Sequence, residues 1–135
     1  MSQEGARSAV RPGRLLLGSI VAIAIHVLFD YLGPAGELLA GFVPGFAFAS
    51  SYLESIVMSV VGSLVGDGIS GLIVLSLLKA SASMLRLPEF IPELGSAFIL
   101  FWVAKGMVLS SIGALAGFKL ATALRRSVKG PSSDL

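Results

Sequence analysis

Four ionisable side chains stand inside otherwise apolar stretches of this sequence, at His26, Asp30, Asp67 and Lys105. A charge in the middle of an apolar helix is costly to bury, so each of these groups needs a partner or serves a function. An imidazole, two carboxylates and an amine in such places can relay protons or line a polar route. They can also do no more than fix the register of packed helices.

The spacing of these residues predicts two pairs. His26 and Asp30 lie one helical turn apart, so the carboxylate can orient the imidazole. Asp67 and Lys105 each fall near the middle of an apolar stretch, and we expect them to face the bundle interior and to pair. Two interpretations stay open at this point, a neutralised pair that fixes helix register and a polar pathway or substrate site.

The sequence predicts no catalytic centre. Gly68–Gly71 reads G-x-S-G, the pattern around the serine of rhomboid-type intramembrane proteases, and His26 would be its base. Those enzymes look like six-span proteins whose histidine follows the serine, unlike the order found here. One histidine and no cysteine leave too few clustered ligands for a metal site. We therefore expect a protein that is not an enzyme and has neither metal nor cofactor.

The composition places these polar groups in lipid. Charged residues make up 13% of the 135 residues, about half the share in soluble domains. The mean hydropathy is +0.90. A soluble chain of this length needs far more polar surface, and a disordered chain or disulfide scaffold has a different composition. The sequence thus predicts an integral membrane protein.

Four apolar stretches predict an all-α, four-helix membrane bundle with short connections. The predicted transmembrane domain is 15–124, with spans at about 15–32, 37–53, 55–78 and 94–124, an outer loop at 79–93, and basic tails at 1–14 and 125–135. The second stretch is short and interrupted by Pro44, so it is either a thin span or a re-entrant segment. Its tight connection to the third span would turn Glu54 towards the cytoplasm.

Six of the ten Lys and Arg residues lie in the two tails, so an even number of spans would keep both termini on the cytoplasmic side of the cell membrane. These residues are Arg7, Arg11, Arg14, Arg125, Arg126 and Lys129. Tails of this kind suit anionic lipid headgroups. No nucleic-acid-binding module is recognisable, so we expect no nucleic-acid partner.

Small residues recur at four-residue spacing in every predicted span, which gives each helix a shallow groove on one face. Such grooves allow close packing of helices in lipid. Their residues are Gly18, Ala22, Gly41, Gly45, Gly62, Gly66, Gly106, Gly113 and Gly117. The pattern does not divide packing within the chain from packing between copies, and glycine is also common in membrane helices generally.

The stretch LLLGSIVAIAIHVLFDYLGPAGELLAGFVPGF, followed by SVVGSLVGDGISG, resembles a family of small archaeal membrane proteins of unknown function. The resemblance covers Leu15 to Leu78, with a further match in GALAGF near Gly113. It implies four spans and no particular activity. The internal Asp67 and Lys105 depart from the family pattern.

The leading hypothesis is a non-enzymatic membrane protein that assembles through its small-residue helix faces, as a homo-oligomer or with a membrane-protein partner. The alternative is a small transporter or channel with Asp67, Lys105 and His26 along a polar route. Small multidrug exporters also have four spans, but their signature glutamate in the first helix is missing here. A holin-like lesion former would leave the intramembrane lysine unexplained.

Overall fold

The computed structural model describes residues 11–130, which form four α-helices: α1 Pro12–Phe29, α2 Pro34–Ala47, α3 Tyr52–Leu85 and α4 Phe90–Val128. A 3₁₀ turn, Asp30–Leu32, follows α1. The predicted all-α class is confirmed for these residues. Arg7 and the last five residues of the C-terminal tail lie outside them.

The predicted loop at 79–93 is wrong for most of its length. Helix α3 continues to Leu85 and α4 begins at Phe90, which leaves four connecting residues. The sequence KASASML contains no helix breaker, and its alanines favour a helix. Helix α3 ends where Arg86 adopts a left-handed conformation with φ 51°. Pro92 falls in the first turn of α4, where a missing N–H leaves no helical hydrogen bond unmade.

Helix α2 is shorter than the predicted span at 37–53. It has 14 residues, a length of about 21 Å, whereas the hydrocarbon core of a bilayer is about 30 Å thick. Three helical segments of the described chain are long and apolar enough to cross a membrane, namely Pro12–Leu32, Tyr52–Leu85 and Glu93–Val128. The helices therefore divide into three of spanning length and one short helix.

A capping box closes the tight connection between α2 and α3. The backbone N–H of Glu54 donates to Ser51 Oγ at 3.2 Å, and the backbone N–H of Ser50 donates to Glu54 Oε2 at 2.7 Å. This exchange satisfies backbone donors at the start of α3. Glu54 is buried within this connection.

Neighbouring contacts give the direction of each helix. Helices α3 and α4 are antiparallel, since Ser59 approaches Ser111 while Gly71 packs on Ile99. The contacts advance together along α1 and α3 and along α2 and α4, so each of these pairs is parallel: Gly18 with Met58, Ala22 with Gly62, Gly66 with His26, Gly41 with Ser110, and Gly45 with Ala114. The bundle therefore runs up, down, up, down, and the start of α1 lies at the same end as the end of α4.

The α1–α2 hairpin covers only the half of α3 and α4 nearest the termini. Its turn packs at the level of Asp67 and Gly106, and beyond that level α3 and α4 pair mainly with each other. Large apolar side chains are widely exposed on this second half, among them Leu72, Leu77, Met84, Leu94 and Leu100. The molecule thus has a four-helix half and a two-helix half.

The small residues predicted to form grooves all lie against another helix of the same chain. A Cβ added at Gly41 would stand 1.7 Å from the backbone oxygen of Ser110, and one at Gly62 would stand 2.4 Å from the Cβ of Ala22. Such close backbone approach supplies van der Waals contact that larger residues would prevent. The small-residue faces are therefore used within the chain.

We expect Gly41→Ala to lower the free energy of unfolding by about 1–3 kcal/mol, because the new methyl meets a backbone carbonyl that no rotamer change can move. The matched control is Gly68→Ala, whose Cβ meets nothing within 4 Å. Alanine there should be neutral or stabilising by up to about 1 kcal/mol through its higher helix propensity. Thermal unfolding of the detergent-solubilised protein, followed by circular dichroism, measures both. Equal losses of stability in the two variants would contradict the packing described.

Candidate functional site

Five ionisable side chains meet where the α1–α2 turn packs against the middle of α3 and α4. We call these residues the charge cluster: His26, Asp30, Glu37, Asp67 and Lys105. Each of the four helices, together with the 3₁₀ turn, contributes one of them. The cluster includes all four polar candidates predicted from the sequence and one residue that was not predicted.

The first pair joins α1 to α3. His26 Nδ1 lies 2.9 Å from Asp67 Oδ1, and both side chains are almost completely buried. The other carboxylate oxygen of Asp67 accepts a hydrogen bond from Ser63 Oγ, one turn earlier on α3. Glycines make room for the pair, because a Cβ at Gly66 would lie 2.5 Å from the Cβ of His26 and one at Gly106 would lie 2.0 Å from Asp67 Oδ2.

The second pair joins α2 to α4. Lys105 Nζ lies 2.9 Å from Glu37 Oε1 and also stands over the ring of Trp102, 5.1 Å from its centroid. Glu37 is 1% exposed, whereas the side chain of Lys105 is 33% exposed. Glu37 belongs to the first turn of α2, where the positive end of the helix dipole favours a carboxylate.

The predicted partners are wrong, although the predicted residues do come together. Asp67 pairs with His26 and not with Lys105, because α1 runs parallel to α3 and brings His26 beside Gly66. Asp30 forms no ion pair with His26 among the described residues, since α1 ends at Phe29 and Asp30 belongs to the 3₁₀ turn.

Sequence reasoning missed Glu37, which supplies the partner of Lys105. A signal for it was present. Glu37 stands four residues before Gly41 and eight before Gly45, so it shares the small-residue face of α2. A carboxylate on a face that packs closely against another helix has to meet a partner there.

A cavity of about 40 Å³ lies next to the charge cluster. This volume is sufficient for a small ion or a few water molecules. Asp30, Asp67 and Ser70 are the polar residues of its wall, which is otherwise mostly apolar and formed by Gly71, Val74, Phe98, Ile99 and Trp102. Trp102 Nε1 approaches the Asp30 carboxylate without reaching hydrogen-bond geometry, so Trp102 Nε1 and Asp30 Oδ1 are buried atoms with no hydrogen-bond partner in residues 11–130.

The charges of the cluster do not balance. Three carboxylates face one amine and one imidazole, so three ionised carboxylates would exceed the available positive charge by one even with His26 protonated. Uncompensated charge is expensive in a low-dielectric interior. The arrangement therefore favours uptake of a proton or of a cation. Within the described residues, no group of three or more metal-binding side chains is positioned to hold a metal ion.

We expect Lys105→Met to destabilise the fold by about 3 kcal/mol, because it leaves the buried Glu37 carboxylate without its partner. The double variant Glu37→Gln, Lys105→Met removes both charges and should recover most of the loss. Thermal unfolding in detergent measures both proteins under the same conditions. If the double variant is as unstable as Lys105→Met alone, the ion pair is not what stabilises this position.

Comparison with known proteins identifies no relative of this chain. No protein-family description, curated protein or solved structure matches the chain. The functional argument therefore rests on the charge cluster and its surroundings.

Proposed function

We propose that this chain is a non-enzymatic integral membrane protein that acts as a small transporter or channel. The charge cluster is the polar site along its transport pathway. The observation that carries this proposal is an unbalanced group of buried and half-buried ionisable side chains beside a cavity. Assembly through small-residue faces is less well supported, since those faces pack within the chain. The polar-route alternative predicted from the sequence is therefore the function we favour.

The spacing of charged residues along α3 and α4 supports membrane insertion. Glu54 and Lys79 stand about 38 Å apart along α3, and Glu93 and Lys119 about 39 Å apart along α4. Because α3 and α4 are antiparallel, Glu54 and Lys119 lie at one level and Lys79 and Glu93 at another. We call these two levels the charged belts, and each of them holds charges of opposite sign. The interval between the belts suits a hydrocarbon core of about 30 Å with its interfaces.

The same register supports a position near the membrane midplane for the cluster. Asp67 and Lys105 each stand about 18–21 Å from both belts along their helices. Charged groups at this depth are costly and commonly mark ion or proton pathways. The turn between α1 and α2 packs at the same depth, and irregular backbone there needs water or protein around it. A water-filled approach from the side of the α3–α4 loop would meet that need.

The distribution of cations supports the orientation. Arg11 and Arg14 at the start of α1 share one end of the bundle with Arg125, Arg126 and Lys129 at the end of α4. The α3–α4 loop at the other end carries Arg86 close to Glu89. Under the positive-inside rule, this asymmetry favours cytoplasmic termini and an α3–α4 loop on the outside.

Single cysteines can test the outside approach, because the chain has no native cysteine. We expect Ala35→Cys, in the exposed first turn of α2, to react with a membrane-impermeant maleimide added outside intact cells. Val108→Cys is the matched control, an exposed position at similar depth on α4 that would face lipid and stay unlabelled. Labelling of Ala35→Cys only after permeabilisation would reject an approach from the outside.

Flux through the purified protein in liposomes tests the function itself. With a pH gradient and an entrapped pH-sensitive dye, the wild type should dissipate the gradient faster than empty liposomes do. Asp67→Asn should slow this at least about tenfold, because it removes a buried charge that the route requires. Lys79→Gln, which changes an exposed charge far from the cluster, should leave the rate unchanged. The proposal fails if the wild type conducts no faster than protein-free liposomes.

A further inference from the structure

We propose that the end of the bundle at which α1 begins and α4 ends binds one anionic phospholipid. The phosphate group lies in a cleft between the α2–α3 connection and the last turns of α4, and an acyl chain lies in the groove between α3 and α4. This site is separate from the charge cluster, since Arg125 stands about 30 Å along α4 from Lys105. Binding of the lipid does not depend on transport.

The cleft, which we call the basic cleft, gathers three cations beside the connection between α2 and α3. It has a volume of about 270 Å³. Its lining residues are Ser50, Phe118, Thr122, Arg125, Arg126 and Lys129. None of the three cations forms an ion pair within residues 11–130. The carboxylate of the adjoining connection, Glu54, is buried and accepts a hydrogen bond from the backbone N–H of Ser50.

The chemistry of the basic cleft suits a phosphate group. A guanidinium can bind two phosphate oxygens at once, and an ammonium adds a compact positive charge. The hydroxyl of Ser50 is a further hydrogen-bond donor at the wall, whereas Thr122 Oγ1 already donates to the backbone oxygen of Phe118 at 2.9 Å. Three cations and a hydroxyl therefore surround a space that a phosphodiester could fill.

The direction of the side chains brings these cations back towards the membrane. Side chains of an α-helix lean towards its N-terminus and cover the preceding turn. Those of Arg125, Arg126 and Lys129 therefore reach back over Thr122 and Phe118, with which they line the basic cleft. Their charged groups lie close to the level at which lipid phosphates meet the protein.

An apolar groove continues from the basic cleft along the same face of α4. Val60 of α3 lines it together with residues of α4 from Ala104 to Leu115. Lining positions of the cleft and the groove recur at alternating intervals of four and three residues from Ala104 to Lys129, which places them on one helix face. The groove extends about 17 Å along α4, close to the roughly 15 Å of hydrocarbon in one leaflet.

The groove is the observation that favours a phospholipid over other anions. Cations at the C-terminus of a helix are favourable without any ligand, because they offset the helix dipole. A free phosphate would occupy the basic cleft only. A phospholipid fills the cleft with its phosphate and the groove with an acyl chain, so it is the ligand that uses both parts of this face.

The test is native mass spectrometry of the purified full-length protein in non-ionic detergent, with phosphatidylglycerol or phosphatidylcholine of the same acyl chains added. We expect one phosphatidylglycerol per chain, bound at least about fivefold more tightly than phosphatidylcholine, whose headgroup carries its own cation. Arg125→Gln combined with Arg126→Gln should weaken phosphatidylglycerol binding at least about tenfold, because it removes two of the three cations of the cleft.

The matched control is Arg11→Gln combined with Arg14→Gln. It removes two cations from the same end of the bundle that do not line the basic cleft, and it should change the affinity less than about twofold. Equal weakening by the two double variants, each folded as judged by circular dichroism, would mean a general attraction of the lipid to this end and would reject the site. Equal binding of the two lipids to the wild type would reject it as well.

Two further measurements identify the occupant. Inorganic phosphate and glycerophosphoglycerol, the headgroup without acyl chains, should not displace the lipid at millimolar concentration. Displacement by either would make a free phosphate group the occupant and overturn the role of the groove. Flux in liposomes tests the proposed function separately, and its absence would reject transport and leave the lipid site standing.

Discussion

The close contact between α1 and α3 is the constraint on which the charge cluster depends. Gly62 and Gly66 let α1 approach closely. The Cβ atoms of Ala22 and His26 occupy the space that a Cβ at position 62 or 66 would need. Only at this separation does a side chain as short as that of Asp67 reach the imidazole. Helix packing and the polar contact therefore depend on each other, since a methyl group on either glycine would separate both the helices and the His26–Asp67 pair.

The same principle operates between α2 and α4. Gly41, Gly113 and Gly117 bring those helices together, and Glu37 extends the same face of α2 to reach Lys105. In lipid, where apolar side chains gain nothing by leaving the solvent, close backbone contact and buried polar pairs are the main sources of helix association. The His26–Asp67 contact and the Glu37–Lys105 ion pair lie at one level, so each fixes the register of one parallel helix pair.

Composition and hydropathy predicted the helices well, since apolar content and spacing are properties of the chain itself. The polar residues were identified because charges are rare in such segments. Their partners could not be predicted in the same way, because pairing depends on which helices are neighbours and in which direction each one runs. The loop predicted at 79–93 failed for a related reason. Charged residues also occur on the exposed face of a helix, and prolines also occur in a helix's first turn, so neither necessarily marks the end of a helix. Lys79, for example, lies on the exposed side of a continuous helix.

The change from four helices to two along the bundle gives the molecule unequal cross-sections. In a bilayer, the half that contains the α1–α2 hairpin would occupy more area in one leaflet than the bare α3–α4 pair occupies in the other. Such a wedge imposes lateral stress on flat lipid and relieves it where the membrane bends away from the wider half. Local curvature and the head-to-tail proportions of the surrounding lipids would then influence where this protein resides, independently of any partner.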